Sequence, residues 1–471
     1  MAIDRQPVVG LCLIIVTMSR LGAFVILCLF HLIACDTINI YISPTGSDTT
    51  GNGTQINPYQ SITRAIQASN TQPGSTVNLY IFPGTYLIGT ENNVFNAPLN
   101  AQYFDDGTGQ NATLACSGGA SSNGLVTTNQ ALYVSGGNHL TLSGCAVAIG
   151  ILNNDLPGLP LQIDAVTISM PSGYGILAQY ADVGITQVTI DLPSVTPFSF
   201  ANSDVTIISS SFSNNYQQNN CALLFGSSTT SISDSTFLNV CVRAEDAGQG
   251  GTYRTISIES SIFINSPFDT ENADFAIDSS HFFSYGETAF TASGGSLLLT
   301  NSVVNNNIGS DYGALSLQGL SNVTIVGAAF HNNQGNIGGA IYINGNPLFT
   351  VTNSTFFNNT AVVNGSAIYC EFDASYDASR SVYQNLTLSG NNSMYPIVNC
   401  PSYVYPTDYF EHENNGDGTG DGDAVSTNGT DLTWLWITLA VVGVLVVVGL
   451  LAAAGAFVYI QRQRARNYKE I

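Results

Sequence analysis

Seven times between residues 204 and 356 the chain alternates apolar and polar positions and then reaches an aromatic or β-branched residue. The alternating stretches are DVTIISS, TTSISDS, RTISIES, DFAIDSS, SLLLTNS, NVTIVGA and FTVTNST. They lead to Phe212, Phe237, Phe263, Phe282, Val303, Phe330 and Phe356, at steps of 25, 26, 19, 21, 27 and 26 residues. Period-two alternation predicts short strands with one buried face. After a polar turn comes a second, small-plus-apolar strand: CALLF, TAFTA, GALSL, GGAIY, GSAIY. The two clearest copies are FHNNQGNIGGAIY (330–342) and FFNNTAVVNGSAIY (356–369). Weaker copies extend the series at HLTLSG (139–144), AVTISM (165–170), QVTIDL (187–192) and NLTLSG (385–390).

A repeat interval in the twenties with no regular helix predicts an all-β solenoid, because each unit buries its apolar face only against its neighbours. Phe330 is expected to lie on Phe356 about 4.8 Å away, one strand spacing. Asn332 and Asn358 are expected to form an amide ladder. Gly and Ala of the G-x-A-I-Y phrase are expected where the coil turns tightly. Around eleven rungs give a rod of roughly 50 Å.

The two ends of the chain carry other patterns. Residues 1–35 read as a signal peptide. Met18 opens a cleaner one, with MSR as n-region and LGAFVILCLFHLIA as h-region, and is a candidate true start. A retained signal anchor is the alternative. Residues 432–460 are uncharged and apolar, long enough for a transmembrane helix, with Trp434, Trp436 and Tyr459 at its edges. Arg462, Arg464 and Arg466 follow and put the tail 461–471 on the cytosolic side. Residues 401–431 are acidic, Gly-rich and aperiodic, as expected of a flexible stalk. The solenoid then spans 36–400 and faces outside or a lumen.

Export fits the remaining signals. N-x-[ST] sequons occur at Asn52, Asn111, Asn322, Asn353, Asn358, Asn364, Asn385, Asn391 and Asn428. Asn358 is expected to stay unmodified if its amide sits in the ladder. Six cysteines, Cys116, Cys145, Cys221, Cys241, Cys370 and Cys400, fall in the exported part. They suggest three disulfides, with sequential pairing the expectation among fifteen connectivities. No C-x-x-C is present, which argues against a zinc or thioredoxin-type role.

The phrase F-x-x-N paired with GGA[IL] resembles the repeats of chlamydial polymorphic outer membrane proteins, which are right-handed parallel β-helices. The amino-terminal part resembles the pectin-lyase-like superfamily. There INIYISPTGSDTTGNGTQINPYQSITRAIQAS (38–69) precedes VNLYIFPGTYLIG (77–89). The resemblance implies a glycine-rich loop, a helix near 62–68 capping the open core, and then a strand ending in P-G-x-Y. It covers about 37–400 and speaks to fold far more than to function. The autotransporter barrel of the chlamydial proteins has no counterpart here; a single-pass membrane form is expected instead.

Charge narrows the partners. Of 32 acidic residues, all but Asp4 and Glu470 lie within 36–431, where Arg64, Arg243, Arg254 and Arg380 are the basic residues, so this part carries 30 acids against four cations, or −26. Such a surface repels nucleic acid and polyanionic ligands unless calcium bridges the charges. Polysaccharide hydrolases on this fold need a carboxylate pair. Lyases need calcium-binding carboxylates and a base. The polygalacturonase motifs are absent apart from an isolated Asp105-Asp106, which reads as a turn. The remaining cluster is Arg243, Glu245, Asp246, Arg254, Glu259 and Asp278. Within it Glu259 and Asp278, each after an inward Ile, are expected to point outward on adjacent rungs. With Arg254 they are the catalytic or calcium candidates, and the alternative is a solvated face with Arg254 as counter-ion. His281 is expected to be exposed. DGTGDGD (417–423) reads as linker. In the tail, Tyr468 and Ile471 form a terminal Y-x-x-Φ, similar to the tails of lysosome-associated membrane glycoproteins, which bind clathrin adaptors.

Three readings follow. The first is a non-enzymatic membrane glycoprotein presenting its β-helix for adhesion or for carbohydrate or protein recognition. The second is a membrane-tethered polysaccharide lyase or glycoside hydrolase. The third is a coat glycoprotein of endolysosomal membranes. No cofactor is required by the first or third; residence is expected at the plasma membrane or an endosomal or lysosomal membrane.

Overall fold

The computed structural model describes residues 36–401 and 403, apart from 73, 90–93, 118–122, 153–157, 170–173, 193–197, 215–220, 222, 246–253, 285, 373–375 and 390–397. The signal region, the stalk beyond 403, the segment 432–460 and the tail with Tyr468 and Ile471 lie outside the described residues. Among the described residues no helix is long and apolar enough to cross a membrane.

The described chain winds as a parallel β-helix with three stacks of strands. The first stack runs from Thr37–Ile42 to Ser381–Gln384 through thirteen successive parallel pairings, so it holds fourteen strands. The second runs from Gly84–Ile88 to Thr387–Ser389. The third runs from Asn123–Thr128 to Val398–Asn399. Fourteen strands make a rod of roughly 62 Å, longer than the expected eleven rungs. The difference arises largely at the amino end, where the strands at 37–42, 76–81 and 99–103 stack without carrying the repeated phrase.

The aromatic column forms as expected. Phe330 lies on Phe356 with ring centroids 4.9 Å apart and planes 4° from parallel, and Phe212, Phe237, Phe263 and Phe282 stack at 4.7–4.9 Å. At one coil the expected alignment is corrected: Val304, not Val303, pairs with Phe282 and Phe330 and is buried. The four weaker copies are also shifted in phase. Leu142, Ile168 and Ile190 align with Phe212, and Thr387–Ser389 aligns with Thr355–Phe357, so these segments belong to the second stack. First- and second-stack strands share the same alternation, which therefore cannot separate them.

The corners explain the residues between strands. At the corner from first to second stack, Gln187, Ser209, Asp234, Ser260, Ser279, Asn301, Gly327, Asn353 and Asn385 all have φ between 50° and 65°. This left-handed position turns the chain by one residue, and Ser, Asn, Asp and Gly tolerate it best. The next residue points inward and is usually serine: Ser210, Ser235, Ser261, Ser280, Ser302 and Ser354. Each hydroxyl donates to the carbonyl two residues earlier at 2.7–2.9 Å. Each hydroxyl also accepts a backbone N–H from the preceding coil at 3.1–3.2 Å: Ser210 from Val188, Ser235 from Ser210, Ser261 from Ser235, Ser280 from Ser261, Ser302 from Ser280 and Ser354 from Ala328. The corner N–H groups are thereby satisfied inside a dry core.

The corner after the aromatic strand uses asparagine. Asn358 donates to Asn332 at 2.8 Å, the expected ladder, on the outside of the coil. A second, buried ladder lies one residue further on. Asn307 donates through Nδ2 to Asn333 Oδ1, and Asn333 likewise to Asn359, both at 2.9 Å. The repeated N-N is thus one outer and one inner asparagine. The tight turn of the G-x-A-I-Y phrase requires its first glycine: Gly338 and Gly365 have φ +61° and +64°.

The amino end is closed by the helix Ile62–Asn70, which Ser61 caps by accepting from Arg64 N–H at 3.1 Å. Its buried residues Ile62, Ala65, Ile66 and Ser69 cover the first coil. Tyr86 of the P-G-x-Y segment donates to the carbonyls of Ile42 and Phe82. Cysteines pair as Cys116–Cys145, Cys221–Cys241 and Cys370–Cys400.

Phe263→Ala is expected to cost about 3–5 kcal/mol in chemical denaturation, as for other buried aromatic truncations. Asn333→Ala is expected to cost about 1–3 kcal/mol, because it orphans buried groups on both neighbouring coils. Asn332→Ala is expected to cost about 1 kcal/mol, less from the outer ladder than from placing alanine at a left-handed φ of 54°.

Candidate functional site

Glu259 and Asp278 stand opposite each other on the first stack and both face outward, since Ile258 and Ile277 occupy the inward positions. Asp278 accepts hydrogen bonds from Thr300 Oγ1, from Asn301 Nδ2 at 2.9 Å and from Ser279 Oγ at 2.9 Å. These donors, Thr300 first, hold its carboxyl below the usual carboxylate range. A general acid needs a shift the other way.

Arg254 does not join them. It pairs in register with Ala273, five positions before Glu259 on the same strand, or roughly 16 Å along it. It lies instead at the corner between third and first stacks, near Glu245, Ser227 and Asn272. The expected trio is therefore split across the coil. Asp246 lies outside the described residues. Asp105 and Asp106 form an exposed turn: Asp105 accepts from Gly107 N–H, and Asp106 accepts from the N–H and hydroxyl of Thr108. The Thr108 hydroxyl and N–H hold the Asp106 carboxyl low. His281 is exposed on the second stack. Among the described residues no group of three or more His, Cys, Asp or Glu comes together as a metal set.

A different place on the rod forms an open groove. On the outer face of the third stack, Ser199, Leu224, Arg243 and Asp269 follow one another on consecutive coils, and Ala201, Gly226, Glu245 and Glu271 run beside them. The small residues at Ser199, Ala201 and Gly226 leave a groove of about 330 Å³, bounded by Leu224, Arg243 and Glu245. Arg243 donates from Nε and Nη2 to Asp269 Oδ2 at 3.1 and 2.8 Å, and lies 3.6 Å from Glu245. Its charge is thus matched by the chain's own carboxylates. Sequence reasoning named Arg243 and Glu245 but missed Asp269. The 26-residue interval from Arg243, one coil, was the available signal.

The sequons lie outside the hydrophobic core. Asn111, Asn353 and Asn385 are exposed; Asn52, Asn322, Asn358 and Asn364 are half-buried. Asn385 Nδ2 donates to Asn353 Oδ1 at 2.9 Å, so two acceptor asparagines stack on adjacent coils. Asn391 and Asn428 lie outside the described residues.

No protein-family model matches the chain, and no curated protein matches it. Among solved structures it is similar to pectate lyase Pel9A, at 14% identity over 83% of this chain and 90% of that one, with a TM-score of 0.28. It is also similar to the GH136 lacto-N-biosidase from Eubacterium ramulus, at 10% identity over 74% of this chain and 68% of that one, with a TM-score of 0.21. Likeness at this level carries no argument about activity.

The depressed Asp278 carboxyl has a sign that can be checked. Its hydrogen bonds favour the folded state above the unfolded carboxylate pKa of about 3.9, and that contribution is lost as pH falls through the lower folded value. Thr300→Val is expected to move the Asp278 titration, followed by NMR, to higher pH. An unchanged midpoint would show that Thr300 does not hold it.

Proposed function

We propose that the chain is a single-pass type I membrane glycoprotein whose β-helix presents its outer face for recognition, without catalysis, and that the groove at Arg243 takes a neutral, hydroxyl-rich ligand such as a glycan. The observation that carries the reading is the groove itself. Its volume of about 330 Å³ falls at the lower end of the roughly 300–1,000 Å³ typical of small-molecule sites. It combines apolar surface at Leu224 with oriented polar groups at Ser199, Arg243 and Glu245. The Arg243–Asp269 pair removes the surplus positive charge that a polyanion requires, while Glu245 adds an acceptor. The acidic surroundings favour neutral over anionic ligands for the same reason.

The distance of Arg254 from Glu259 and Asp278 and the absence of lysine from 36–431 weigh against the lyase or hydrolase alternative. Membrane attachment rests on the apolar segment 432–460 and the arginines after it. The Tyr468–Ile471 motif supports cycling between the cell surface and endosomes through a clathrin adaptor.

A glycan-array screen of residues 36–431, run with calcium and with chelator and followed by product analysis, tests this. Binding of neutral glycans in both conditions without cleavage is expected. Gly226→Leu, which fills the groove, is expected to weaken binding at least tenfold, and the double substitution Glu259→Ala, Asp278→Ala to leave it unchanged. Product formation that disappears in the double variant would return the second reading.

A further inference from the structure

The three outer faces of the rod differ in charge. Over the eight coils from Ser211–Asn214 to Thr387–Ser389, the second-stack strands contain no Asp, Glu, Lys or Arg. Over the same coils the first stack carries Asp204, Arg254, Glu259, Asp274 and Asp278. The third carries Arg243, Glu245, Asp269, Glu271 and Glu371. The titratable groups on the second-stack strands are His281 and His331.

The middle of this uncharged face is apolar. Leu238, Ile264 and Phe283 follow one another on consecutive coils, with Ile262, His281 and Val303 in the neighbouring column. Leu238 and Ile262 are 39% and 42% exposed. The same region is free of glycan acceptors: no sequon lies between Asn111 and Asn322.

We propose that this face docks a second copy of the chain, rod against rod. Two copies whose exported parts each carry −26 repel one another through their acidic faces, and closing either face would bury carboxylates against carboxylates. The second-stack face is the one that approaches its own copy without that cost. It also removes from water Leu238 and Ile262, which a lone rod leaves 39% and 42% exposed. A two-fold contact sets the same face on both partners.

The size of the face sets the strength. Eight strands and three residues across cover roughly 38 by 10 Å, or on the order of 400 Å² in plan. That is below the roughly 800 Å² per partner of a standard stable interface. The contact is therefore weak between free rods and becomes populated where copies are concentrated on one surface. A basic partner would be drawn to the first or third stack instead.

The test uses the full chain, expressed in cells in two differently tagged forms, with the photocrosslinking residue p-benzoylphenylalanine in place of Ile262. Irradiation is expected to join the two tags in one species. The same residue in place of Thr350, outward on the first stack, is expected to join none. Leu238→Glu is expected to lower the Ile262 crosslink at least tenfold. Thr236→Glu, which replaces an already polar side chain opposite Ile262, is expected to do the same and serves if the leucine variant fails to reach the surface. Crosslinking of Ile262 to a different protein alone, or to nothing, would overturn the proposal, as would an unchanged yield in both variants. The outcome is independent of the glycan groove, which lies on another stack.

Discussion

Every coil of this rod must turn the backbone three times while keeping its polar groups paired in an apolar interior, and the rest of the structure depends on how that is done. A residue in the left-handed region makes the turn, and an inward serine or asparagine then takes up the backbone groups that the turn releases. Each such hydrogen bond contributes only about 0.5–1.5 kcal/mol net, but a buried N–H left unpaired costs about 1–3 kcal/mol. The serines at 210, 235, 261 and 280 are therefore a condition for the corner rather than an ornament on it. Once corners are fixed, the Phe212–Phe282 column falls into register, since each phenylalanine stands two residues after its serine.

Fixing the inside leaves the outside free. Outward positions recur every coil at strand spacing, so any choice repeated along a stack becomes a column. The chain uses that freedom differently on each face. Acidic residues gather on the first and third stacks, a matched Arg243–Asp269 pair borders a groove on the third, and the second stays uncharged over eight coils. Function on such a scaffold is a matter of which side chains share a face, and Arg254 shows how sequence proximity misleads: it shares a strand with Glu259 and yet stands at its other end.

Much of the interior was legible in the sequence because it repeats. The Phe330–Phe356 stack and the Asn332–Asn358 ladder follow from interval and alternation, whereas the capping helix at Ile62–Asn70 was implied by the resemblance of 38–69 to the pectin-lyase-like entry. What was not legible turned on phase. Val303 and Val304 are both apolar, and only the serine two positions earlier, Ser302, identifies Val304 as the stacked residue. QVTIDL and NLTLSG alternate like first-stack strands, yet Gln187 and Asn385 are corner residues that open second-stack strands. The inner asparagines Asn333 and Asn359 were hidden beside their outer neighbours, because N-N carries no mark of which side chain turns in. The groove was illegible for another reason: Ser199, Gly226, Arg243 and Asp269 meet only across coils of unequal length.

The claim that buried corner side chains hold the coils together is tested most directly by hydrogen exchange of the corner amides. The account predicts that the N–H groups of Ser210, Ser235, Ser261 and Ser280 exchange as slowly as those of the strand interiors at Ile258 and Ile277, and that Ser261→Ala speeds exchange most at Ser235, whose N–H bonds to the missing hydroxyl. Exchange at these serines as fast as in the exposed turn at Asp105–Gly107, with no added effect of the substitution at Ser235, would contradict it.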